Sequence, residues 1–219
     1  MDDRIIHGDC IEILTTLPDE SVDLVLTDPP YLVRYRDRSG RTIANDDRPE
    51  SVLGAFSDLY RVLRPDSFCI SFCGWHHVDA FFQAWKNAGF TPVGHIVWCK
   101  DYASSTRFLR ACHEQAYVLT KGRPEKPSQP LDDVQPWEYT GNRVHPTEKA
   151  VSILAPLVEA FSQPGDLVLD PFAGVGSTLV AAALLKRHYL GIELEASYCQ
   201  LAERRLAGVV RLLQRGTAA

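Results

Sequence analysis

No stretch of this chain approaches the roughly 18 uncharged apolar residues of a membrane span. The opening Met1-Asp2-Asp3-Arg4 has neither the basic start nor the apolar run of a secretory signal. The expectation is a cytoplasmic protein that makes no membrane contact. The six cysteines, Cys10, Cys69, Cys73, Cys99, Cys112 and Cys199, form no CxxC pair. That argues against a zinc site and against a disulfide framework, so no metal is expected and the thiols read as buried and reduced. Positive charge is not in excess either: the net charge is −5. Any contact with nucleic acid must therefore come from local basic patches. Internal repeats and domain-separating linkers are also missing.

What remains is a chain of 219 residues, 45% hydrophobic and 23% charged. This is enough for one soluble domain with a substantial core. Short β-like runs alternate with helical segments, which points to an α/β fold built on a mostly parallel sheet. Strands are expected over 4–8, 22–27, 67–73, 93–99, 115–120, 167–169 and 188–192. Helices are expected over 10–17, 50–63, 78–88, 148–161, 179–185 and 197–211. Pro65 should close the 50–63 helix, and Pro156 falls inside the 148–161 helix. Two stretches read as loops: the charged 32–49 and the proline-rich 121–136.

The buried strand Leu167-Val168-Leu169 runs into Asp170-Pro171-Phe172-Ala173-Gly174-Val175-Gly176-Ser177-Thr178. A strand, a glycine turn and a helix start occur in that order. Ligands of open parallel sheets bind at the carboxyl ends of strands. Gly174 and Gly176 allow a tight turn and close approach of backbone to ligand, and the helix start offers free N–H groups. Glu193 ends the following strand, where a carboxylate can accept from both hydroxyls of a ribose. The arrangement suits a nucleoside cofactor, either a nicotinamide dinucleotide or S-adenosylmethionine. The dinucleotide fingerprint GxGxxG is incomplete, because Leu179 holds its third position.

A second motif, Asp28-Pro29-Pro30-Tyr31, follows the apolar strand 22–27. With its preceding strand it resembles motif IV of the amino-methyltransferases, which implies transfer of a methyl group to the exocyclic amine of a base. The lone pair of such an amine is delocalised into its ring. If Asp28 accepts one N–H and the Pro29 carbonyl the other, the nitrogen becomes more tetrahedral and its lone pair turns toward the donor. Positioning then supplies much of the rate. Pro29 and Pro30 fix φ and aim that carbonyl, and Tyr31 can stack on the base.

With both motifs the chain resembles the β-class DNA amino-methyltransferases, the N6-adenine/N4-cytosine family. The mark of that class is order, with DPPY ahead of the FxGxG turn, and the resemblance spans nearly the whole length. His7-Gly8-Asp9-Cys10 resembles the early GD segment, which would put Asp9 and Cys10 beside the cofactor adenine; Asp9 also reads as a helix cap. His145-Pro146-Thr147-Glu148-Lys149 resembles the HPTxKP motif, whose Thr147 and Lys149 would hold the methionine end of the cofactor. Ala150 stands where the family usually has proline. Trp98-Cys99-Lys100 and His113-Glu114 resemble the strands that wall the base pocket. The resemblance implies a class I S-adenosylmethionine-dependent methyltransferase fold, a seven-stranded mostly parallel sheet with helices on both faces and a circularly permuted motif order. Residues 1–219 would form a single methyltransferase domain with a short target-recognition insertion at about 121–145.

S-adenosyl-L-methionine is the cofactor so implied, the Asp170–Thr178 turn with Glu193 its cradle, and Asp28 a further residue in contact with it. Double-stranded DNA is the implied substrate, with adenine N6 favoured over cytosine N4 because the motif begins with Asp. Phosphate contacts would come from Arg34, Arg36, Arg38 and Arg41 after the DPPY motif, and from Arg107 and Arg110 in an acid-free segment. A homodimer and a cognate restriction enzyme are partners that the residues themselves leave open. Two readings from other classes also stay open: a nicotinamide-dependent oxidoreductase and a non-catalytic DNA-binding protein.

Overall fold

Val22–Thr27 (β2) shows how the chain divides its apolar residues between two cores. Leu24 and Leu26 face one layer of helices, while Val22 and Val25 face the other. Strict alternation would put Val22 with Leu24; a shift in the pairing register between them turns Val22 over. The structure is a computed structural model and describes residues 3–36, 40–138 and 148–216.

The other strands are β1 (Arg4–His7), β3 (Leu63–Phe72), β4 (Thr91–Cys99), β5 (His113–Lys121), β6 (Val134–Pro136), β7 (Leu167–Asp170) and β8 (His188–Glu193). They form one eight-stranded sheet in the order β1-β8-β7-β2-β3-β5-β4-β6. Every neighbouring pair is parallel except those of β5, which runs antiparallel to both β3 and β4. One face carries α5 (Val151–Phe161), α6 (Ser177–Leu184) and α7 (Ala196–Gly216), packed on Leu24, Ile70 and Val168. The other carries α1 (Cys10–Thr16), α3 (Ala55–Val62) and α4 (Val78–Ala88), packed on Val25, Cys69 and Leu169. There Phe56 meets both Phe81 and Trp85 edge-on.

Among the described residues the sheet has eight strands rather than the expected seven. The extra one, β6, lies in the proline-rich stretch read as a loop. It pairs with β4 at the sheet edge, where Pro136 can end a strand without breaking an inner ladder. The expected 50–63 helix is two, α2 (Pro49–Leu53) and α3, meeting at Gly54. A Cβ there would come 2.5 Å from the Glu50 carbonyl oxygen. Pro65 does not close a helix; it lies inside β3. The helix expected from residue 148 starts at Val151, which leaves Glu148 and Lys149 outside it.

Two connections decide where a ligand can sit. From β7 the chain winds through α6 to β8 on one side. From β2 it winds through α3 to β3 on the other. The winding direction therefore reverses between β7 and β2, adjacent strands paired Leu24 with Val168 and Val25 with Leu169. Their carboxyl ends open a crevice at this switch point.

Candidate active site

Both sequence motifs leave the sheet at that crevice. β2 ends at Thr27 and continues into Asp28-Pro29-Pro30-Tyr31; β7 ends at Asp170 and continues into the glycine turn. The cleft between them has a volume of about 360 Å³, within the range of small-molecule sites. Asp9, Cys10, Asp28, Pro29, Pro30, Tyr31 and Lys149 line it, as do Asp170, Pro171, Phe172, Ala173, Gly174, Ser177, Thr178 and Glu193.

The turn holds its shape through backbone that only glycine adopts freely. Gly174 has φ +51° and Gly176 has φ +77°. Gly176 does not line the cleft; it precedes α6, and a Cβ on it would lie 2.8 Å from the Ala202 Cβ of α7. Arg205 of α7 braces the turn by donating to the Val175 carbonyl at 2.8 Å and to Ser177 Oγ at 3.2 Å, and it pairs with Glu148 at 3.3 Å.

Glu193 closes one end. Its Oε2 accepts the Gly174 N–H and its Oε1 the Glu195 N–H, both at 2.7 Å. Burial raises its carboxyl above the ordinary range, opposed by these backbone donors. Each oxygen keeps a further lone pair at the cleft wall. Asp9 caps α1, accepting the Ile11 N–H at 2.8 Å, while also lining the cleft. The adjacent Cys10 thiol is pushed up to about 12 by burial. Asp170 is buried on the cleft floor, and burial raises it to about 7 against hydrogen bonds from Thr178 and the Phe172 N–H.

The other end is built around Asp28. Its Oδ1 accepts the Tyr31 hydroxyl at 2.8 Å, and its Oδ2 accepts from Lys149 Nζ at 2.6 Å. Lys149 is 7% exposed. Its ammonium lies 5.0 Å from the centre of the Phe72 ring, 5.6 Å from that of Tyr31 and 6.0 Å from that of Trp137, within reach of cation–π attraction. Burial, then the Asp28 charge, raise Tyr31 well above the usual phenol value, so it remains a donor. The resemblance puts Lys149 at the methionine end of the cofactor; in the structure it lines the cleft with its ammonium against the DPPY carboxylate.

The loop after Tyr31 is not a free charged arm. Asp46, 2% exposed, accepts the N–H groups of Leu32 at 2.6 Å, Val33 at 3.3 Å and Tyr35 at 2.5 Å. It thereby folds the loop over the cleft mouth, so that Arg41 lines the cleft while Arg34 and Arg36 point outward and exposed. Arg107 and Arg110 are exposed in the turn joining β4 and β5. Arg38 and Thr147 lie outside the described residues.

Sequence reading missed Asp46 and Arg205. Asp46 was indistinguishable from its exposed neighbour Asp47, and Arg205 from the other arginines of an amphipathic helix. Only the fold separates them.

The glycine turn, Glu193 and the adjacent DPPY carboxylate bear on the comparison with known proteins. Residues 22–204 match the model of the N6/N4 DNA methylases. The chain belongs to the N6/N4 DNA methylase family. YubD of Escherichia coli (strain K12) is 53% identical over 215 residues, covering 98% of this chain and 95% of its own length. Among solved structures, TTHA0409 of Thermus thermophilus, complexed with S-adenosyl-L-methionine, superposes with a TM-score of 0.74. It is 26% identical, with 95% of this chain and 94% of that one covered. The cytosine-N4-specific PvuII DNA methyltransferase gives a TM-score of 0.75 at 15% identity, covering 98% and 92%, and shows the shared fold. The fold is that of class I methyltransferases, the chain is a DNA methyltransferase, and S-adenosylmethionine is the methyl donor of the family. Among the described residues no helix is long and apolar enough to cross a membrane.

Proposed function

We propose that this enzyme methylates the N6 amine of adenine in duplex DNA, with donor and acceptor meeting between the ends of β7 and β2. The observation that carries the reading is the placement of the Asp28 carboxylate and the Glu193-walled glycine turn in one cleft. When bound, S-adenosylmethionine supplies an electrophilic methyl group. Glu193 would accept from its ribose, Asp9 and Cys10 would border its adenine, and Gly174 would let the backbone come close. Phe172, Ser177 and Thr178 complete that wall.

The target base must leave the helix stack, since its amine is inaccessible inside the duplex. Asp28 and the Pro29 carbonyl then accept its two N–H groups and orient the nitrogen lone pair. Each Asp28 oxygen already accepts one bond and keeps a further lone pair for the incoming amine. Once the methyl group is on nitrogen, the surplus proton leaves by way of the Asp28 carboxylate. An aspartate at the head of the motif supports adenine over cytosine. Arg34, Arg36, Arg38 and Arg41, with Arg107 and Arg110, are assigned to phosphates around the cleft.

The test is Asp28→Ala. We expect methyl transfer to DNA to fall at least 10³-fold while calorimetry still finds S-adenosylmethionine bound. A variant that keeps full transfer would remove Asp28 from the chemistry.

A further inference from the structure

The turn between β4 and β5 carries two large apolar side chains that touch almost nothing. Phe108 is 105% exposed and Leu109 is 84% exposed. Arg107 and Arg110 flank them, both exposed. Single exposed apolar residues are ordinary, but two adjacent ones at the tip of a turn, flanked by arginines, form a contiguous patch of the kind that marks an interaction site, and the fold gains nothing from a phenyl ring in water.

The turn is held by its backbone. The Lys100 N–H donates to the Cys112 carbonyl at 2.8 Å, the Ser104 N–H to that of Ala111 at 2.8 Å, and the Ala111 N–H to that of Ser105 at 2.9 Å. Thr106 bridges Arg110, and the Arg107 N–H donates to the Leu109 carbonyl at 3.1 Å at the tip. These bonds make a pinned finger with its apolar pair at the end.

The finger rises from the rim that carries the active site. β4 ends at Cys99 opposite His113, where β5 begins, and β5 lies beside the end of β3 with Ala116 opposite Phe72. At its base the Lys100 ammonium pairs with Glu114, donates to Ser104 Oγ at 2.7 Å and lies 5.1 Å from the centre of the Trp137 ring. The same ring is 6.0 Å from Lys149 Nζ, which holds Asp28. Trp75 is a second exposed aromatic near this rim, but its ring stacks on His76 at 4.0 Å.

We propose that this finger enters duplex DNA beside the target, Phe108 filling the stack that the extruded base vacates and Arg107 and Arg110 gripping the adjoining phosphates. Apolar wedges of this kind unstack a base step and hold the duplex open. The inference rests on the DNA methyltransferase reading above and adds to it how the base is kept out of the helix. The wedge acts only where a paired base has to be extruded. A target with no partner needs far less help.

The test compares Phe108→Ala with the unaltered enzyme on two oligonucleotide duplexes carrying a site mapped on DNA the enzyme has methylated. In one the target is paired; in the other it faces an abasic position. Because Phe108 makes no packing contact, the variant should melt with the unaltered protein. We expect methylation of the paired duplex to fall at least tenfold, methylation of the abasic duplex to change less than twofold, and Phe108→Trp to restore the paired rate. Equal loss on both duplexes, or no loss on either, overturns the finger's role alone. An unaltered enzyme that methylates no DNA overturns the methyltransferase reading, and this inference with it.

Discussion

Lys149 Nζ lies 2.6 Å from Asp28 Oδ2 although the two residues are 121 positions apart. The contact joins the segment before α5 to the turn after β2. It places a buried ammonium on the carboxylate proposed to receive the target amine. Removing the ammonium leaves that carboxylate without its strongest partner, which costs catalysis more than cofactor affinity. Lys149→Met should lower kcat about 10²-fold and change the dissociation constant for S-adenosylmethionine less than threefold, measured by single-turnover kinetics and calorimetry. The opposite pattern, weak cofactor binding with normal kcat, would return Lys149 to the methionine end.

Asp46 makes a separate claim. Its carboxylate accepts three backbone N–H groups from the loop that roofs the cleft, and Leu32 and Arg34 are held at φ +63° and +53°. Asp46→Ala leaves those donors unpaired. Native-state hydrogen exchange at Leu32 and Tyr35 should speed up at least tenfold, and the KM for DNA should rise. Unchanged exchange would show that the loop stands without it.

The sequence made the two motifs legible because their chemistry is local. A strand followed by Asp-Pro-Pro-Tyr, and a strand followed by a glycine turn and a later glutamate, each announce a strand end. Sheet topology then brings them together. The eighth strand was not legible because β6 has only three residues, lies among prolines and exists through its pairing with β4. The break at Gly54 was hidden because apolar spacing continues across it, from Val52 to Phe56. The partner of Lys149 could not be read either, since a motif gives a residue its place in the chain and not the direction of its side chain.

Asp170 predicts a pH dependence. Burial raises its carboxyl from an ordinary 3.8 to about 7, so the folded chain prefers the neutral acid. Its contribution to stability is fully present below the unfolded value and is lost as pH rises through about 7. At pH 8 the fold holds a buried carboxylate at a cost on the order of a few kcal/mol. Asp170→Asn should abolish this part of the pH dependence and melt higher than the unaltered protein at pH 8 without cofactor. Parallel melting curves from pH 5 to pH 8 would contradict it.

Gly176 tests the turn itself. Alanine there must take φ +77° and bring its Cβ 2.8 Å from the Ala202 Cβ. Gly176→Ala should destabilise the fold by about 2 kcal/mol, lowering Tm by roughly 4–8 °C. A melting temperature within one degree of the unaltered protein would mean that α6 and α7 separate freely at this point.

The most direct test of the account is the chemical identity of the product. DNA lacking methylated bases is incubated with the enzyme and S-adenosylmethionine, digested to nucleosides and resolved by mass spectrometry. The account predicts N6-methyladenine as the new nucleobase, absent when Asp28→Ala replaces the unaltered protein. N4-methylcytosine would contradict the choice of base; no methylated base at all, or the same yield from Asp28→Ala, would contradict the site.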